Sequence, residues 1–221
     1  GGRAQQWLGD KVRVGVTAMR EKTEGADQKM YGADVRLHHS ENTYLEAEVA
    51  RSEGPGFGNT YSPDGGLTIQ DNATAGMRGR KANAWRVEGH VALEELTDDR
   101  ITGSLGARVD HYGKGFSSLD VEADKARTVW GVEGDAALSE RSKAAVSYSD
   151  EKISDGRVHR DGLGKVRIGL TDKFAVEPYG RYVQKKDTTP SITGEQGKRA
   201  DAGVKLLYAW DDDHEGYVFG Q

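Results

Sequence analysis

Charged residues in this chain recur at every second position through several segments, and acids and bases mix within them. Asp34 and Arg36, Glu46 and Glu48, Arg86 and Glu88, and Arg108 and Asp110 are the plainest pairs. With Arg13, Glu133, Asp135, Lys165, Arg167, Glu177, Arg181, Asp201 and Lys205 they make nine acids against eight bases. A dense, nearly neutral set of this kind suits contact with hydrated ions or small polar solutes better than a bond-making step. Opposite charges facing each other across paired strands stabilise a sheet by about 0.2–1 kcal/mol per pair. Between walls of low dielectric they gain attraction but also bear desolvation. The solvated face of an ordinary sheet would carry the same pattern.

Motifs for catalysis or metal binding are sparse. Asp110-His111 joins an acid to a histidine beside a long connection, a pairing that a barrel hydrolase would use to activate water, but no second paired motif accompanies it. His38 and His39 are adjacent, so on a strand they point to opposite faces and cannot hold one metal ion together. Gly115-Phe116-Ser117-Ser118 lacks the second glycine of a nucleophile elbow and its strand–turn–helix setting. Asp64, Asp71 and Asn72 offer oxygen ligands, yet their spacing misses the calcium-loop pattern. Asp211–Asp213 reads as a polar turn. With no cysteine in the chain, disulfides and thiolate metal centres are excluded. We expect neither enzymatic activity nor a cofactor.

The elements that would position the charges are strands. In Lys11–Glu21, Val12, Val14, Val16 and Ala18 share one parity, and Lys11, Arg13, Thr17 and Glu21 the other. A period of two marks a strand with two chemically different faces. Similar segments lie at Met30–His39, Thr43–Arg51, Ala84–Glu94, Arg100–Tyr112, Thr128–Leu138, Lys143–Lys152, Gly164–Leu170, Phe174–Gln184, Ala200–Ala209 and Glu215–Gln221. His90–Leu96 is the nearest approach to a helical period, and its alternation favours a strand. Soluble strands usually run about 5–6 residues, whereas a tilted strand crossing a bilayer needs roughly 9–11.

The connections fall into two classes that alternate strictly. Short polar turns are expected at Ser40–Asn42, Thr97–Asp99, Ser139–Arg141, Thr171–Lys173 and Asp211–Asp213. Longer stretches separate them at Lys22–Lys29, Ser52–Asn83, Gly113–Arg127, Ile153–Leu163 and Lys185–Arg199. Short turns at one end and long loops at the other are the arrangement of outer-membrane barrels. Tyr31-Gly32-Ala33-Asp34 through Ser40-Glu41 also matches Trp130-Gly131-Val132-Glu133 through Ser139-Glu140, as if one hairpin unit had been reused. Aromatic residues cluster at both strand ends. Tyr31, Trp85, Tyr112, Trp130 and Tyr182 stand beside long loops, and Tyr44, Phe174, Tyr208 and Trp210 beside short turns. Two such girdles are expected where amphipathic rings meet both lipid–water interfaces.

Composition narrows the classes further. Apolar residues are 35% and charged residues 30%, and no apolar run approaches the roughly 18 residues of a membrane helix. A polar average is compatible with a membrane barrel, because only one face of each strand meets lipid. The net charge of -5 is spread along the chain, which argues against a nucleic-acid partner. Gly1–Asp10 lacks the charged and apolar regions of a signal peptide, so we expect the numbering to begin within a mature protein or a fragment.

Segments such as Tyr31-Gly32-Ala33-Asp34-Val35-Arg36, Leu138-Ser139-Glu140-Arg141-Ser142 and Asp212-Asp213-His214-Glu215 resemble those of Gram-negative outer-membrane β-barrels. More narrowly, they resemble the C-terminal barrel segments of large bacterial surface proteins. The motifs are generic hairpin features, and no catalytic or transport residues carry over from them. Bacterial single-chain barrels use an even number of strands, so Gly1–Trp7 is expected to supply part of a twelfth.

The expectation is therefore one all-β domain over residues 1–221, an antiparallel up-and-down transmembrane barrel of about twelve strands in a bacterial outer membrane. Its charged parity would line a lumen and its aromatics would form the belts. Outer-membrane lipid, and small ions or solutes if it is a pore, would be its partners. It would act as a hydrophilic pore or as an anchor and translocator for surface domains. A soluble all-β structural or adhesive module is the main alternative, and a barrel hydrolase resting on Asp110 and His111 is the third.

Overall fold

A computed structural model of the chain describes residues 1–22, 27–54, 60, 61, 70, 71, 80–119, 121–187, 196–211 and 214–220, with backbone alone at 60, 61, 70 and 71. The calcium candidates Asp64 and Asn72 lie outside the described residues, as do Asp212 and Asp213 of the last polar turn. The described residues form fourteen strands and one short helix. The first seven strands are β1 (Gly2–Leu8), β2 (Val12–Lys22), β3 (Asp27–His38), β4 (Tyr44–Glu53), β5 (Thr60–Tyr61), β6 (Gln70–Asp71) and β7 (Lys81–Ala92). Helix α1 (Leu93–Thr97) follows, and then β8 (Gly103–Tyr112), β9 (Arg127–Ser139), β10 (Ser142–Ile153), β11 (Val158–Gly169), β12 (Phe174–Lys186), β13 (Gly197–Ala209) and β14 (Glu215–Gly220).

Twelve strands make one antiparallel up-and-down sheet in the order β1-β2-β3-β4-β7-β8-β9-β10-β11-β12-β13-β14, while β5 and β6 pair with each other. Each strand lies beside its neighbours in the chain, an order compatible with a β-barrel. β1 is the twelfth strand, running antiparallel to β2 with Trp7 opposite Arg13. Most of the large strands have 10–13 residues, about twice the common length.

Three expectations about the connections are corrected. The stretch Ile153–Leu163 is mostly strand. β11 begins at Val158, and Gly156, at φ 91°, turns the chain within residues 154–157. Polar residues stand on both parities here, which hides the period. Asp150 and Arg160 pair on one face at 2.8 Å, while Asp161 and Arg181 pair on the other at 2.6 Å. Likewise Asp27–Lys29 belongs to β3, which leaves residues 23–26 as the connection. Finally, the segment His90–Leu96 is split, with strand through Ala92 and helix from Leu93. Thr97 donates from its hydroxyl to the Leu93 carbonyl at 2.7 Å, and Asp98 and Asp99 turn out of the helix at positive φ. Aspartate tolerates that conformation better than most residues. Loop lengths therefore do not alternate strictly between long and short.

The chain divides into two compact units. The first comprises Gly1–His39, Leu45–Val87 and Val109–Thr128, and the second Ser40–Tyr44, Glu88–Arg108 and Val129–Gln221. Each shows the same inversion of polarity. Along β3 in the first unit, Asp34 is 7% exposed, whereas Val35 is 37% and Leu37 47% exposed. In the second unit Glu177 is 8% exposed and Leu206 58%. Asp34, Asp110 and Glu177 of the charged parity are covered while rows of large apolar residues on the other parity are open, the reverse of a water-soluble sheet. Arg86, Arg108, Glu133, Asp135, Lys165 and Arg181 of the charged parity are themselves exposed. One apolar cluster forms in the first unit, where Ala82, Ala84, Phe116 and Ala123 are packed by Met30, Ala50, Tyr112 and Val121.

Candidate functional site

The charged parity of the first unit is a ladder of ion pairs. Arg13 and Arg36 stand directly opposite each other on β2 and β3, and like charges so placed repel. Carboxylates on either side of them relieve the repulsion. Arg3 donates to Asp34 Oδ1 at 2.9 Å, Arg13 approaches Glu46 Oε2 at 3.3 Å, and Arg36 approaches the same oxygen at 3.2 Å. Asp34 also lies 3.9 Å from Arg13. Farther along, Arg86 Nε donates to Asp110 Oδ1 at 2.5 Å. Glu48 stands two residues from Glu46 on the same face of β4.

Gly15, opposite Asp34 in register, makes the ladder possible. A Cβ at Gly15 would collide with both carboxylate oxygens of Asp34. Gly15→Ala is therefore expected to displace the Asp34 carboxylate and lower the thermal unfolding temperature in detergent. An unchanged melting temperature would show that the carboxylate moves aside freely.

In the second unit the charged parity frames a pocket of about 370 Å³. Tyr44 donates its hydroxyl to Glu88 Oε1 at 2.7 Å and stacks on His90, with ring centroids 5.8 Å apart. Arg108, Glu133 and Asp161 complete the charged lining, and Gly106 and Gly131 leave the space open. Toward the last strands, Lys205 Nζ lies 3.2 Å from Glu177 and within 6 Å of the ring centres of Tyr179 and Tyr217. Asp201 is held by Arg199 at 2.7 Å, Asp135 by Ser104 at 2.6 Å, and Arg167 pairs with Glu215. Lys165 shares a parity with Arg167 and stands opposite Tyr179.

Each unit thus gathers its share of the predicted charged residues on one parity. Sequence reasoning missed Arg3, Asp161 and Glu215 as partners. Arg3 lay in a segment with few alternating apolar residues, Asp161 in an assumed loop, and Glu215 next to a turn. Asp150 was missed for another reason, since it occupies the apolar parity at the end of its strand, and its partner Arg160 lay in the same assumed loop as Asp161. Arg160 there also donates to Gln184 at 3.1 Å.

Seven of the nine aromatics assigned to belts stand on the exposed parity. Trp130 packs beside Tyr148 at 5.1 Å, and Phe174, Tyr208 and Trp210 form a chain of ring contacts. Tyr31, Trp85 and Tyr182 are exposed. Tyr44 and Tyr112 stand on the charged parity instead. Tyr44 lies with Glu46 and Glu88, and Tyr112 packs its ring near Phe116. Their phenol groups find polar or cationic neighbours there, Glu88 for Tyr44 and Arg127 over the ring of Tyr112.

Asp110 and His111 take opposite faces of β8. Asp110 binds Arg86, whereas His111 stacks on Trp85 and has a ring nitrogen 2.9 Å from Thr128 Oγ1. The adjacent pair is therefore not assembled as an acid–histidine couple. Among the described residues no group of three or more metal-binding side chains converges. No described helix is long and apolar enough to cross a membrane, which says nothing of strands. No protein-family model, curated protein or solved structure matches the chain.

Proposed function

We propose that this chain is a transmembrane β-barrel of a bacterial outer membrane, with its charged parity turned to a lumen through which small hydrophilic solutes pass. The inverted polarity of both units carries this reading. Burying Asp34, Asp110 and Glu177 while leaving rows of Val, Leu and aromatic side chains open would be costly in water. In a bilayer the same rows meet lipid, and a closed sheet satisfies the backbone hydrogen bonds. Two further features support it. Strands of 10–13 residues reach across a hydrocarbon layer, which takes roughly 9–11. On the exposed parity, the polar group Asp150, Arg160 and Gln184 lies beyond the rings of Tyr148 and Tyr182, as side chains past an interfacial belt would.

The primary test is solubility and conduction. The protein is expected to be monodisperse only in detergent or lipid, and to produce discrete current steps in a planar bilayer. A stable monomer in plain buffer refutes the membrane reading. A folded barrel that carries no current leaves the anchor function in place of the pore.

Sidedness gives a separate check, made simple by the absence of native cysteine. Ser154→Cys, at the β10–β11 turn, should label from outside intact cells. Asn42→Cys and Asp172→Cys, at the opposite strand ends, should label only after the outer membrane is permeabilised. Equal labelling of all three in intact cells refutes the topology.

A further inference from the structure

The connection between β8 and β9 does not run free of the strands. Immediately after Tyr112, the Gly113 amide donates to the Asn83 carbonyl at 2.8 Å, and a Cβ at Gly113 would sit 2.8 Å from that same oxygen. Gly115, at φ 87°, then reverses the chain. Two arms come together beyond it. Gly115 donates to Ala123 at 2.7 Å, Ala123 to Phe116 at 2.8 Å and Ser118 to Val121 at 2.8 Å. The result is a small hairpin formed by residues 113–119 and 121–126.

This hairpin packs on the charged parity of the first unit. Phe116 and Ala123 are only 3% and 2% exposed, and their neighbours are Ala82, Ala84, Met30, Ala50 and Tyr112. Every one of those neighbours shares a parity with the ion-pair ladder. Ala82 and Ala84 precede Arg86, Met30 precedes Asp34 and Arg36, Ala50 follows Glu46 and Glu48, and Tyr112 follows Asp110. The ladder therefore gives way to three alanines, a methionine and a tyrosine where the hairpin lies. The Ser117 amide also donates to Ser52 Oγ at 3.1 Å, and both serines are buried. A connection that served only to join two strands would have no reason to place a phenylalanine on the charged side of the sheet.

We infer that the β8–β9 hairpin is an internal stop, seated on the charged face and limiting what passes along it. The inference rests on the pore reading. Phe116 is the anchor of the stop, Gly113 and Gly115 are the points that turn it inward, and Ser52 is its latch.

Phe116→Asp places a carboxylate among alanines and should drive the hairpin off the face. Folding is checked by the heat-dependent shift in gel mobility that intact barrels show. The expected result is a several-fold rise in single-channel conductance over the unchanged protein. Adding Ser52→Cys and Ser117→Cys, and oxidising the pair, should return the conductance to the original level, and reduction should raise it again. Equal conductance of Phe116→Asp and the unchanged protein overturns the stop while leaving the pore standing. Absence of current from both, with the Ser117→Cys thiol reactive in the Phe116→Asp background, overturns pore and stop together. If Phe116→Asp does not fold, Phe116→Ser carrying the same cysteine pair takes its place. Reduction must then raise the mean conductance above the oxidised state, and identical values overturn the stop.

Discussion

Val204→Arg is expected to destabilise the folded protein in lipid vesicles by roughly 2–4 kcal/mol, the cost of a cationic side chain near the midplane of a barrel's lipid face. Val204 stands near the middle of β13, opposite Pro178 on one side and Gly220 on the other. It is 44% exposed, between Ala202 and the exposed Leu206 on the same parity. Val16→Arg, near the middle of β2, should behave alike. The contrast with an aqueous surface makes the experiment decisive. Substitutions at an exposed site in water, away from special features, usually change stability by no more than about 0.5 kcal/mol. Urea unfolding in vesicles measures the difference. A change within the aqueous range at both positions would sink the membrane reading, because no other environment makes an exposed valine so intolerant of charge.

Neutralising Glu46 and Glu48 together, as Glu46→Gln and Glu48→Gln, should shift ion selectivity toward anions. Glu46 is the carboxylate that Arg13 and Arg36 share. Its loss takes a shared carboxylate from those two guanidinium groups, while Asp34 stays beside Arg3 and Arg13. Loss of Glu48 removes a second negative charge from the same strand face. The change is best read as a reversal potential across a salt gradient at low ionic strength, because screening sets in beyond about 10 Å at 0.1 M salt. His111→Ala should leave selectivity unaltered, since His111 stacks on Trp85 on the opposite parity. A conducting barrel whose reversal potential ignores the double substitution would refute the assignment of the charged parity to the lumen.

Much of this architecture was legible from residue order. Alternation in β2, β3, β4 and β13 locates the strands and separates Asp34 and Arg36 from Val35 and Leu37, because an extended backbone must send successive side chains to opposite faces. That constraint is local, so it needs no knowledge of neighbouring strands. The count of twelve came from a different rule, the even strand number of bacterial single-chain barrels, which Gly1–Trp7 completed. The start of β11 could not be read this way. Asp150, Arg160, Asp161 and Arg181 put charge on both parities, and only the register of β10, β11 and β12 shows which pairs with which.

Long-range packing decided the rest. Tyr44 and Tyr112 stand at strand ends like the other aromatics, but parity alone does not reveal that Glu88 and Phe116 wait for them on the charged side. Arg3 became part of the ladder only through the pairing of β1 with β2 and of β2 with β3. The hairpin at Phe116 is the clearest case. Gly113 and Gly115 mark a turn in the sequence, yet the direction of that turn depends on alanines at 82 and 84 and a serine at 52, far away along the chain. Side-chain alternation is set by bonds within a strand. The seat of a folded connection is set by which distant residues are small enough to receive it.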